Sequence, residues 1–181
     1  MTLDDARFHD RRDAGRRLAD KLTAYAHRPD VIVLALPRGG VPVAAEVART
    51  LDAPLDVFVV RKLGVPGHEE LALGAVATGG VRVLNDQLIR ELGIPAYAVD
   101  DVTRHEGQEL TRRERLYRGD RRAPAVAGMT VILVDDGLAT GATMAAGIEA
   151  LRRQEPAHIV VAVPVAPPET KSARSSPSSD A

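Results

Sequence analysis

Apolar residues along this chain come in short runs separated by longer amphipathic stretches. Val31–Leu36 (VIVLAL), Leu55–Val60 (LDVFVV), Thr130–Val134 (TVILV) and the HIVVAVPV run of His158–Val165 have the length and β-branched content of buried strands. The stretches between them carry helical patterns. From Asp4 to Ala26, Leu18, Leu22 and Tyr25 fall at helical spacing, and Asp4 or Asp5 can cap the start. VPVAAEVARTLD reads as a helix with Pro42 tolerated in its first turn. A short helix is predicted over Asp86–Leu92, ending at Gly93 and Pro95, and a longer one over Val99–Tyr117, stopping near Gly119. ATMAAGIEALRRQ follows the third strand as another helix. LALGAVATGGVRVLN reads as two short strands around Gly79-Gly80, with a hairpin as their connection. RKLGVPGHEE reads as a polar loop.

Strands alternating with helices predict an α/β fold, a mainly parallel sheet flanked by helices, with a small hairpin or flexible loop. Residues 1–168 read as one domain. Residues 169–181, ETKSARSSPSSDA, are Ser-rich without apolar periodicity and are expected to be a disordered tail. In open α/β sheets, ligands bind beyond the carboxyl ends of the strands. Three loops should meet there: PRGG, RKLGVPGHEE and DDGLATGAT.

Composition narrows the classes. The chain has 181 residues, 45% hydrophobic and 27% charged, with a formal net charge of −1. This is an ordinary globular balance, without the excess charge that marks a nucleic-acid or membrane partner. No apolar run reaches membrane-spanning length, and the N-terminal MTLDDARFHDRRDAGRR lacks an apolar export core. Zero cysteines exclude disulfides and thiolate chemistry and fit a cytoplasmic protein. Histidines 9, 27, 68, 105 and 158 show no metal-ligand spacing. The arginine-rich stretch Arg104–Arg122 is interleaved with acids and reads as a solvated helix face with i,i+4 pairs such as Glu109 and Arg113. With aromatics at 3% of the chain, it has few bases for stacking on single strands.

The chemistry concentrates in VILVDDGLATGAT, Val131–Thr143. Asp135 and Asp136 stand where the chain leaves the strand. Gly137 and Gly141 permit backbone conformations closed to other residues. Thr140 and Thr143 supply hydroxyls, and the next helix begins with its amides and dipole facing the same space. The result is an anion site without a lysine. A P-loop triphosphatase would need G-x-x-x-x-G-K-[ST], which is absent, as is G-x-G-x-x-G.

VILVDDGLATGAT resembles the phosphoribosyl-pyrophosphate signature of type I phosphoribosyltransferases. The resemblance extends over roughly Val31 to Pro164: LPRGG resembles the family's pyrophosphate loop, and VVRKLGVPGHEELALGAVA its basic pair and flexible loop. It implies transfer of ribose 5-phosphate from phosphoribosyl pyrophosphate to a nitrogenous base, with Mg2+, in a homodimer. Arg38, Gly39 and Gly40 would hold pyrophosphate. Arg61 and Lys62 would neutralise the leaving group. Asp135 and Asp136 would take the ribose hydroxyls and, through them or water, the metal. Ala139, Thr140, Gly141, Ala142 and Thr143 would cradle the 5-phosphate. Hypoxanthine-type relatives carry an aspartate where this chain has Ala139, so a general base from that loop is absent, and Glu69 or Glu70 are its substitutes. The segment after the last strand lacks the aromatic that stacks on the base in relatives. A regulator that binds phosphoribosyl ligands without catalysis therefore stays open beside the enzyme.

Overall fold

The computed structural model of the protein describes residues 8–137 and 141–165. Its centre is a four-stranded parallel sheet of β1 (Val31–Ala35), β2 (Leu55–Val57), β6 (Thr130–Val134) and β7 (His158–Ala162), in the order β2-β1-β6-β7. β1 and β6 are buried at every position because both sheet faces are covered. Successive side chains divide between the faces. Val31, Val33, Ala35, Ile132 and Val134 pack under α2 (Gly40–Leu51), whereas Ile32, Leu34, Val131 and Leu133 pack with Met144 and Leu151 of α5 (Ala142–Arg152).

A second, antiparallel sheet joins β3 (Val60–Val65), β4 (His68–Ala77) and β5 (Val81–Leu84). The expected Gly79-Gly80 hairpin is the β4–β5 connection, with both glycines at positive φ. The expected RKLGVPGHEE loop is instead a hairpin: β3 and β4 pair around Pro66-Gly67, with a register irregularity near Gly64. Polar side chains concealed the strand, but Leu63 and Val65 alternate into an apolar cluster with Leu73, Val76 and Val99. The predicted second strand, Leu55–Val60, is broken in the structure. Phe58 donates its amide to Ala35 of the parallel sheet at 2.8 Å, and Val59 accepts from the Thr78 amide at 2.9 Å, so the chain changes sheets between them.

The first helix is shorter than its pattern. α1 (Arg11–Ala19) is capped by Asp10, whose carboxylate accepts from the Asp13 amide, and the apolar spacing continues through a 3-10 turn over Thr23–Tyr25. Asp4 and Asp5 lie outside the described residues, as do residues 169–181. α3 (Asp86–Glu91) and α4 (Ala96–Arg118) follow β5. On α4 the Glu109–Arg113 pair forms at 2.8 Å. Arg118 departs from the solvated-face reading: it is buried and bonds Asp56 at 3.0 Å, Glu114 at 3.2 Å and the Val57 carbonyl at 2.9 Å, fastening the end of α4 to β2. Among the described residues, no helix is long and apolar enough to cross a membrane.

α1 packs on α2 through Gly15. A Cβ there would meet the Val43 carbonyl oxygen at 2.7 Å and Glu46 Cβ at 2.8 Å. Gly15→Val is therefore expected to cost about 1–3 kcal/mol by overpacking. Thermal unfolding reads this directly, and an unchanged melting temperature would show that the helices do not pack at this distance.

Candidate functional site

The sheet order creates the site. β1 and β6 lie side by side in register, with Ala35 opposite Val134, but their outgoing chains part. β1 continues through α2 to β2 on one side, and β6 continues through α5 to β7 on the other. Open α/β sheets bind ligands in the crevice beyond the carboxyl ends at such a switch point, and PRGG and the acid pair would be its two walls.

These walls touch. Leu36 donates its amide to the Val134 carbonyl at 2.8 Å, carrying the β1–β6 pairing into the turn. A Cβ at Gly39 would overlap the Asp136 carboxylate. A Cβ at Gly40 would stand 2.7 Å from the Val134 carbonyl oxygen and 3.0 Å from Asp135 Cα. Both glycines are thus required by close approach of the acid pair. The α2 cap at Gly39 has no side-chain capping bond. Arg38 is exposed, and the Pro37–Arg38 peptide is cis.

The two acids differ. Asp135 is half-buried, its Oδ1 accepting from the Asp136 amide at 2.8 Å. Burial pushes its carboxyl up to about 6; the charge of Asp136 adds to the rise, and that amide bond opposes it. Asp136 is held by a residue the sequence reading missed. Arg11 of α1 donates from Nε and Nη2 to Asp136 Oδ2, each at 2.8 Å. The partners are 125 positions apart, and no local motif links them.

The other expected residues divide. Gly141 sits at the start of α5 with φ 71, and Ala142 and Thr143 are exposed in its first turn. Ala139 and Thr140 lie outside the described residues. Arg61 and Lys62 are in β3 rather than in a loop, and strand alternation sends them to opposite faces. Arg61 meets Glu106 of α4, with Nη2 at 2.5 Å and Nε at 2.8 Å from the same oxygen. Lys62 lines a cavity of about 550 Å³ between the antiparallel sheet and α5, with Ala75, Val83, Thr143 and Glu149. The Glu70 carboxylate is exposed, 3.5 Å from His68; nothing is described of the Glu69 side chain. Among the described residues, no cluster of His, Asp or Glu is large enough to hold a metal ion by itself.

A parallel sheet with a glycine turn against an acid pair at its switch point defines an α/β fold with a candidate ligand position there. The family model for the phosphoribosyl transferase domain matches residues 66–179, and the chain belongs to that family. Two Mycobacterium tuberculosis proteins, provisionally named as phosphoribosyl transferases, are 52% identical over 161 residues. The match takes in 88% of this chain and 36% of theirs, so the chain spans about a third of the length of these curated relatives. Thermus thermophilus TT1426 superposes with a TM-score of 0.78 at 46% identity, over 90% of this chain and 77% of that one. A Staphylococcus aureus hypoxanthine phosphoribosyltransferase shares the fold at a TM-score of 0.51 and 12% identity, over 92% of this chain and 68% of that one.

Two predictions follow from this geometry. Gly40→Ala meets main-chain atoms and should cost about 1–3 kcal/mol, whereas Gly39→Ala needs only a side chain to move and should cost less; equal melting temperatures would contradict the packing described. The second concerns Asp135, whose folded carboxyl is raised from 3.8 to about 6. Over that window the folded state keeps a proton that the unfolded state has released, so the stability this group contributes is lost as pH rises through it. Asp135→Asn should therefore raise the melting temperature above pH 6, and the gain should shrink toward pH 4. A pH-independent difference would contradict the raised carboxyl.

Proposed function

We propose that this chain transfers ribose 5-phosphate from phosphoribosyl pyrophosphate to a nitrogenous base, with release of pyrophosphate. The observation that carries the reading is the contact of Gly39 with the Asp136 carboxylate, which brings PRGG and the acid pair into one crevice. In this reading PRGG receives the pyrophosphate, its glycines allowing backbone approach and Arg38 supplying charge. The start of α5, Gly141 to Thr143, receives the 5-phosphate together with Ala139 and Thr140. Asp135 and Asp136 accept hydrogen bonds from the ribose 2- and 3-hydroxyls.

Breaking the bond to pyrophosphate leaves a ribose ring with oxocarbenium character. The two carboxylates favour that cation more than the neutral ground state, which is the condition for catalysis. The raised carboxyl of Asp135 also fits this role: burial is its main cause, the charge of Asp136 a smaller one, and hydroxyl donors and a cation would offset both. Magnesium fits the same donor set. Two carboxylates alone do not make a cage, so the ion would be held chiefly by ligand oxygens and water, with Asp135 and Asp136 in its outer surroundings. Bound there, it would offset the charge of the departing pyrophosphate.

A second reading, a phosphoribosyl-binding regulator without transfer, is favoured by one observation. Arg61 is engaged with Glu106, leaving Lys62 as the member of the pair on the α5 side. The two readings separate in one experiment: pyrophosphate release from phosphoribosyl pyrophosphate, with magnesium, across a panel of nitrogenous bases. Transfer predicts release with one base and loss of donor affinity in the Asp135→Asn, Asp136→Asn double variant. Donor binding without release on any base would favour the regulator, and unchanged donor affinity in the double variant would refute the assignment of both acids.

A further inference from the structure

The contact between Arg11 and Asp136 is not explained by local helix electrostatics. Arg16 and Arg17 of the same helix lie 3.7 and 3.3 Å from Asp13, one turn away. Arg11 instead leaves its helix and directs two N–H groups at a single oxygen of the acid wall. Its reach is set by the backbone: Arg11 is one helical turn before Gly15, the residue whose missing side chain lets α1 lie against α2. α2 begins at Gly40, directly after the turn that Asp136 covers. The helix, the turn and the acid therefore form a closed loop of contacts.

We propose that Arg11 is a positioning residue of the donor site, fixing the plane of the Asp136 carboxylate so that Oδ1, the oxygen its bonds do not use, meets a ribose hydroxyl. This rests on the functional reading given above. An exposed ion pair contributes little stability, and the Arg11 side chain is 61% exposed. What two converging donors do supply is direction. An aspartate carboxylate otherwise turns broadly about its terminal torsion, and a hydroxyl bond requires an oxygen aimed within hydrogen-bonding geometry.

Calorimetric titration of the full chain in magnesium buffer, with ribose 5-phosphate and separately with inorganic pyrophosphate, tests this, because only the first ligand carries the hydroxyls. Arg11→Ala should weaken ribose 5-phosphate by about tenfold, the scale of a hydrogen bond to a charged group, and leave pyrophosphate affinity unchanged. Arg11→Lys keeps the charge without the two-pronged geometry and should fall between. Unchanged ribose 5-phosphate affinity in Arg11→Ala overturns the proposal. So does tighter binding, which would make Arg11 a competitor for the acid, and so does equal weakening of both ligands, which would mean general damage. Failure of the unaltered protein to bind ribose 5-phosphate at all would instead overturn the functional reading beneath it.

Discussion

The site depends on one close approach: the backbone of the turn after β1 lies directly against the carboxylate that follows β6. Nothing with a side chain fits at Gly39 or Gly40 without moving the acids or the end of β6. That approach is a consequence of strand pairing, since β1 and β6 are neighbours in register up to Ala35 and Val134. The sheet therefore does more than support the loops. Its central pair fixes the distance between the crevice walls, and its order sends α2 and α5 away on opposite sides.

The surrounding packing defends that arrangement. Side chains of β1 and β6 alternate between two apolar clusters, one under α2 and one under α5, so both helices that start at the crevice are anchored through the same two strands. α1 is fitted to α2 at Gly15 and returns to the crevice through Arg11. The antiparallel sheet meets α5 across the cavity that Lys62 lines, and it meets α4 through Arg61 and Glu106. Charge follows the same plan. Burial, with a smaller part from the neighbouring charge, raises the carboxyl of Asp135, and Arg11 is a cation set against Asp136.

Much of this was legible in the sequence, for identifiable reasons. VIVLA and VILV are unbroken apolar runs of strand length, as strands covered on both faces carry, so the parallel core and its loop ends followed. The Gly39-Gly40 and Asp135-Asp136 pairs were recognisable because each follows such a strand, and the acids stand in a full apolar, acidic and Gly/Thr run. The β3–β4 hairpin was hidden because its residues are mostly polar, small or turn-forming, and its register slips near Gly64. The break at Phe58 and Val59 was hidden because a strand that changes sheets keeps its apolar pattern while changing its partners. Arg118 looked like one more surface arginine, since its burial depends on Asp56, 62 positions away. Arg11 was invisible for the same reason: pairing across 125 residues leaves no spacing signal.

In the proposed function, the glycine turn, the acid pair and the start of α5 serve a single ligand. A crystal structure of the complex with ribose 5-phosphate and magnesium tests it most directly. The ribose 2- and 3-hydroxyls should lie within hydrogen-bonding distance of the Asp135 and Asp136 carboxylates, with the phosphate against the amides around Gly141. A ligand seated elsewhere, such as the cavity between α5 and the antiparallel sheet, with the acid pair untouched, would contradict it.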